Sequence, residues 1–261
     1  MSQVRALTLE EWFTDYQLQF IWSSYCHLPG SLDIDVSGLV SATEAAGIRL
    51  SPTAITVKAA GLLVEEMPLL NRVLLRTPWG PRVLELNEIR VNMPVQIENR
   101  GQPMLSAMVL ANPQRESAGV LQAKIRDFAS GNLDDKPIGR FLTNRGNWFW
   151  NRALLRLLHV AAYRLPWMYA KRGGGISVSS IIRTNTNHPR HLVALGHTAL
   201  TLLISGIDRD ANGRSWLRIG FDGNHSILSG AEIGEATARL AAILGNSPPE
   251  RFYPELAGAR P

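Results

Sequence analysis

Hydrophobic and polar positions follow two distinct periods along this chain. Leu32, Ile34 and Val36 alternate with Asp33, Asp35 and Ser37, the period of two that marks a strand buried on one face. Ile55, Ala59, Leu62, Leu63 and Met67 recur at helical spacing, so Ser51-Pro52 opens a helix that Pro68 ends. Upstream, Thr8-Leu9-Glu10-Glu11 has the form of a capping box, which predicts a helix to about Ser24 that stops before Pro29-Gly30. A short helix is expected near Leu39–Ala46. Arg72 to Leu110 is strand-like, with turns at Pro78–Pro81 and Glu98–Gln102. Arg115 to Ser130 carries Val120, Leu121, Ile125 and Phe128 on one helical side, with Gly131 as its C-cap. Ile176–Ile182, Thr198–Ile207 and Trp216–Phe221 read as strands, the last two joined by a turn with Asn212-Gly213 at its tip. Ile233, Ala236, Leu240 and Ile243 form the stripe of a final helix from about Ala231 to Leu244. No internal repeat is present, and the mixture of elements predicts one α/β sandwich.

Composition narrows the picture. Of 261 residues, 45% are hydrophobic and 19% charged, which excludes global disorder. The single cysteine, Cys26, excludes an internal disulfide framework and a cysteine-rich zinc site, and is expected as a small buried residue. His188 and His191 lie close together but lack a third ligand, so no metal is expected. The N-terminal residues lack the basic and apolar regions of a secretory signal. The apolar run Leu154–Tyr169 is broken by Arg156, His159 and Arg164, so it is not read as a membrane span and a cytoplasmic location is expected. The net charge of +5 is concentrated: Arg140 to Arg172 holds seven Lys/Arg and no acid, leaving the remainder at about −2. No nucleic-acid-binding module accompanies this segment, so no nucleic-acid partner is expected.

The candidate chemistry centres on His225, within FDGNHSILSGAE. It follows a predicted buried strand, and Ser229-Gly230 opens a helix. A histidine at such a junction is held rigidly with one ring nitrogen toward a cleft, as a general base requires. His225 to Gly230 is similar to the His-x-x-x-Asp-Gly signature of the dihydrolipoyl acyltransferases and chloramphenicol acetyltransferase, with Ser229 at the aspartate position. Ile55–Asn71 resembles that family's helix ending in Pro-x-x-Asn, here Pro68-Leu69-Leu70-Asn71. SLDIDV with GLVSATEAAG, VNMPVQIENRGQPMLSAMVL, SAGVLQAKIRDFASG, GGGISVSS and GHTALTLLISGI fall in the family's order. The resemblance covers roughly residues 28–130 and 173–244.

That resemblance implies a two-layer α/β sandwich with a mixed, largely antiparallel sheet, the chloramphenicol acetyltransferase-like fold of CoA-dependent acyltransferases. It implies a homotrimer whose channels run between subunits. There, His225 removes the acceptor's proton while a hydroxyl on the neighbouring subunit stabilises the oxyanion. Ser179 aligns best with that hydroxyl. Ser177, on the same strand face, is the alternative, and a plain polar strand face is the other reading. Asn224 and Ser229 are assigned to substrate binding. The family's aspartate organises the site by an ion pair with arginine, which Ser229 cannot form, so Ser229→Asp is expected to leave an unpaired charge and to destabilise the chain. No permanently bound cofactor is expected, with a coenzyme A or acyl carrier protein thioester as co-substrate and a small thiol, hydroxyl or amine as acceptor.

With about 28 residues before the matched region, no lipoyl domain is expected and a stand-alone acyltransferase is favoured. The rivals are a non-catalytic trimeric scaffold and a dihydrolipoyl acyltransferase core. The whole chain, 1–261, reads as one domain with a basic, Trp-rich insertion at about 135–172 and a loose Pro-rich tail at about 246–261. FWNRALLRLLHVAAYRLPWMYAKR reads as one amphipathic helix with Arg152, Arg156 and Lys171 outside a Trp/Leu face. Its alternatives are accessory packing, a lid over an acyl chain, contact with an anionic membrane, or a dock for an acidic carrier protein.

Overall fold

Alternation along the predicted strands resolves into a six-stranded sheet with one apolar and one polar face. The computed structural model of the chain describes residues 12, 15, 16, 19, 20, 23, 25–99, 102–131, 148–182 and 192–258, so Thr8, His188 and His191 lie outside the described residues. Strands β1 (His27–Asp35), β8 (Ser215–Asn224), β7 (Leu200–Arg209), β6 (Ile176–Ser180), β4 (Arg90–Asn99) and β5 (Gln102–Ala111) lie side by side in that order. The β1/β8, β8/β7 and β4/β5 pairs are antiparallel, and β6 runs parallel to both β7 and β4. A separate hairpin joins β2 (Arg72–Thr77) to β3 (Gly80–Glu85).

Helices α1 (Ser37–Ala45), α2 (Pro52–Glu66), α3 (Ala118–Ser130) and α6 (Gly230–Asn246) build the second layer. Ile34, Val91, Ile176, Val178, Leu202 and Ile219 meet them in one continuous core. This is the two-layer α/β sandwich with a mixed, largely antiparallel sheet.

Helix α2 starts where expected, with the Ser51 hydroxyl accepting from the Ala54 N–H at 3.3 Å and Pro52 in the first turn. The expected apolar stripe is too narrow, because residues 54 to 64 are buried on every side. The sheet lies beneath α2 while α3 and α6 flank it. Lys58 is drawn into this core, where burial lowers its pKa and its ammonium donates to the Glu116 carbonyl.

Several expectations are corrected. Pro29 and Gly30 do not precede the strand but lie inside β1, opposite Asp222 and Phe221. Because β1 is an edge strand, the missing proline N–H costs it no ladder bond on the open side. Gly131 ends α3 in an extended conformation at φ −70°, not as a left-handed cap. The described part of the insertion, residues 148–172, is two helices and not one, α4 (Trp148–Arg164) and α5 (Pro166–Arg172), since Pro166 cannot continue α4 and instead opens α5 after an extended Leu165. Cys26 is exposed.

The segment after α6 is not loose over its described residues. Phe252 and Tyr253 are 0% and 1% exposed, Leu256 joins the same core, and the Tyr253 hydroxyl accepts from the Ser51 N–H at 3.1 Å. The Phe252 carbonyl also accepts from Ala118 N–H at 2.8 Å, at the start of α3. Phe252→Ala is therefore expected to lower unfolding stability by about 3–5 kcal/mol in urea denaturation, as for a core aromatic. A change below about 0.5 kcal/mol, the size of an ordinary surface effect, would show a tail that does not belong to the core.

Candidate active site at the end of strand β8

The chain leaves the sheet at Asn224 and turns sharply before α6. The Asn224 carbonyl accepts from both Ile227 N–H and Leu228 N–H at 3.1 Å, and its side-chain Oδ1 accepts from Ser226 N–H at 3.1 Å. The residue preceding β1 clamps the other side: Cys26 carbonyl accepts from His225 N–H at 2.8 Å, and Cys26 N–H donates to the Ser226 hydroxyl at 3.2 Å. Within this turn the His225 Nδ1 lies 2.8 Å from the Leu228 carbonyl. A carbonyl only accepts, so Nδ1 carries a proton, and in the tautomer this bond selects the free lone pair is on Nε2 of the exposed ring.

Nothing in the sequence singles out Arg72. It follows Asn71 directly, and its guanidinium donates to the Ile227 carbonyl inside the turn, with Glu232 at 3.9 Å. Asn71 itself pins the β3–β4 connection, its side-chain amide donating to the carbonyls of Leu86 at 2.7 Å and Glu88 at 3.3 Å. The Pro-x-x-Asn tetrad thus brings Arg72 to the turn. A signal for Arg72 exists only in its place next to that tetrad.

Ser229 is the N-cap of α6. Its hydroxyl accepts from Glu232 N–H at 3.2 Å, and the Glu232 carboxylate accepts from Ser229 N–H at 2.6 Å, a complete capping box. Asn224 is 1% exposed, so it serves the turn, and its Nδ2 is buried with no partner among the described residues.

The two serines belong to the polar face of the sheet. Ile176 and Val178 point into the core, whereas Ser177 and Ser179 point away from it. Ser177 is 7% exposed, and the Thr198 hydroxyl donates to Ser177 Oγ at 3.2 Å or to the Leu200 carbonyl at 3.0 Å, itself lying 3.1 Å from Thr201 Oγ1. Ser179 is half-buried, and its hydroxyl has no hydrogen-bond partner among the described residues. The strand entry is crowded. A Cβ on Gly174 would strike the Arg90 carbonyl, and one on Gly175 the Leu70 carbonyl, so the Gly-rich lead is a close-approach requirement. Asp222, on the same sheet face, bonds His27 Nδ1 at 2.7 Å and Gly196 N–H at 3.2 Å, while burial raises its pKa against these contacts.

Register separates the histidine from both serines within one chain. Ser179 is level with Leu203 and Gly220, and Ser177 with Thr201 and Asp222. At ~3.3 Å per residue and ~4.8 Å per strand, His225 lies roughly 16 Å along and 10 Å across from Ser179. For Ser177 the offset is roughly 10 Å in each direction. Among the described residues no cluster of three or more His, Cys, Asp or Glu could hold a metal.

No protein-family model matches the chain, and no curated protein matches it in sequence. The cubic core of the pyruvate dehydrogenase multienzyme complex superposes with a TM-score of 0.65 at 16% identity, over 94% of this chain and 92% of that one. The chain has the chloramphenicol acetyltransferase-like fold. Chloramphenicol acetyltransferase itself gives a TM-score of 0.50 at 15% identity, over 94% of this chain and 100% of that one. The dihydrolipoamide acetyltransferase of Azotobacter vinelandii gives 0.63 at 17% identity, over 94% and 92%, in a structure concerned with the role of a serine, a histidine and an asparagine in its catalytic mechanism.

The capping box revises the expectation for position 229 of this acyltransferase-like fold. Ser229 is exposed, and aspartate is as good an N-cap as serine at the positive end of a helix. Ser229→Asp is therefore expected to leave unfolding stability within about 0.5 kcal/mol, whereas Ser229→Ala costs about 1 kcal/mol. Glu232 has a lowered pKa, chiefly from the Ser229 N–H and then its hydroxyl. A carboxyl with a depressed folded pKa stabilises above its unfolded value. The stability difference between the wild type and Ser229→Ala, measured by denaturation, therefore shrinks as pH falls through the lowered value. A Ser229→Asp variant as unstable as Ser229→Ala would contradict this role.

Proposed function

We propose that the protein is an acyltransferase that moves an acyl group from a CoA or carrier-protein thioester to a small thiol, hydroxyl or amine. The observation that carries this reading is the Nδ1 bond to Leu228, which leaves His225 Nε2 as a fixed proton acceptor on an acetyltransferase-like fold. Nε2 takes the proton of the acceptor as that atom attacks the thioester carbonyl. The tetrahedral oxyanion then receives a hydrogen bond from Ser179. Collapse breaks the carbon–sulfur bond, and the protonated His225 returns its proton to the departing thiolate.

Ser179 is favoured over Ser177 because it is half-buried and within reach of a substrate, whereas Ser177 is 7% exposed. Register puts both serines out of reach of His225 in the same chain, which supports a site shared between copies of a homotrimer. In the Azotobacter vinelandii enzyme the histidine and asparagine in question are four residues apart, the spacing of His225 and Ser229. That spacing supports the view that the position tolerates more than aspartate. In this chain Arg72 and the capping box supply the anchoring that an aspartate–arginine pair would give. A dihydrolipoyl acyltransferase core fits the structural neighbours equally, so dihydrolipoamide belongs among the acceptors tested.

Thiol release from a panel of acyl-CoA donors with thiol, hydroxyl and amine acceptors is the direct assay. His225→Ala is expected to lower turnover by ~10²–10⁴ with folding retained, the range for a lost general base. Ser179→Ala should lower kcat by ~10²–10³ with little change in KM, as for a group that acts on the transition state. Near-normal turnover in His225→Ala would remove the proposed mechanism. A large kcat loss in Ser177→Ala alone would exchange the roles of the two serines.

A further inference from the structure

We propose that the β2–β3 hairpin together with α4 and α5 forms a surface that docks on anionic lipid membranes. The five most exposed large apolar side chains among the described residues all belong to this unit: Trp79 at 75%, Trp150 at 68%, Leu157 at 65%, Trp167 at 61% and Val83 at 52%. They do not reflect loose structure. Val73, Leu75 and Tyr169 form a small core of their own, with Tyr163, Leu84 and Leu86 packed against it, and so join the hairpin to both helices.

The charge of the unit is one-sided. Residues 148–172 contain five Lys/Arg and no acid, and Arg156, Lys171 and Arg172 are exposed. The hairpin adds exposed Arg76 and Arg82 against one acid, Glu85. Lys171 also lies 6.0 Å from the Trp167 ring, so cation and indole occupy the same patch.

Indoles with neighbouring cations are the combination that settles at the boundary between headgroups and acyl chains. The three tryptophans stand on three separate elements, the β2–β3 turn, α4 and α5, as independent anchors. A protein hot spot would instead gather its aromatics into one desolvated pocket. A second copy brings the same positive excess, so like patches repel. Among the described residues no helix is long and apolar enough to cross a membrane, which makes surface docking the mode. The inference rests on this surface and not on the role of His225.

Co-sedimentation of the full chain with phosphatidylcholine vesicles, with and without phosphatidylglycerol, tests it. Binding is expected only with phosphatidylglycerol, with release at high salt and a blue shift of tryptophan emission. Arg156→Gln and Lys171→Gln should each weaken partitioning about fivefold. Trp150→Ala with Trp167→Ala should weaken it at least ~10-fold. Quenching of the wild-type tryptophans by brominated-chain lipid keeps the test independent of any variant's folding. Failure to bind phosphatidylglycerol vesicles at low salt would overturn the proposal. So would binding that survives the tryptophan substitutions, or a change of oligomer mass in them, which would identify the patch as a contact between copies.

Discussion

The hydrogen bond between His225 Nδ1 and the Leu228 carbonyl is the contact on which the proposed chemistry depends. It selects one tautomer and so decides which ring nitrogen can take a proton. The bond exists only because the four-residue turn is held from three directions. Asn224 closes it from within, the Cys26 backbone clamps it from the start of β1, and Arg72 reaches it from β2. Each of these partners comes from a different part of the sequence. The site is a product of the fold, and its rigidity is that of the interior strand β8 from whose end it projects.

Most of the fold is legible in the sequence because its signals are local. Ser51-Pro52 marks the start of α2, and Ile233, Ala236, Leu240 and Ile243 mark the buried side of α6. The expectations that fail do so where tertiary context overrides a local signal. Pro29-Gly30 is a breaker by composition, yet an edge strand tolerates it. Phe252 and Tyr253 sit in a Pro-rich segment that looks loose until a core accepts them. Pro166 is visible, but the run around it reads as one apolar stripe unless its break is given full weight.

The candidate site is legible to the same extent. His225, Ser177 and Ser179 stand out through a resemblance, and their residue types fit the chemistry. Arg72 does not stand out, since an arginine after Pro-x-x-Asn has no chemical signature of its own. Ser229 reads in the sequence as the loss of an ion pair, whereas the structure makes it a helix cap, a function that Ser and Asp share. The choice between the serines is likewise invisible to a period of two. Burial distinguishes them, since Ser177 is 7% exposed while Ser179 is half-buried.

The central claim is that His225 of one copy works with Ser179 of another, because the sheet holds them apart within a single chain. Mixed oligomers test it most directly. Chains carrying His225→Ala and chains carrying Ser179→Ala, each nearly inactive alone, are co-expressed in equal amounts and the mixed species purified by two affinity tags. Whichever chain is doubled, a mixed trimer joins an intact histidine to an intact serine at one interface in three, so about a third of wild-type turnover is predicted. Turnover that stays at the level of the parent variants in mixed trimers confirmed by light scattering would contradict the shared site.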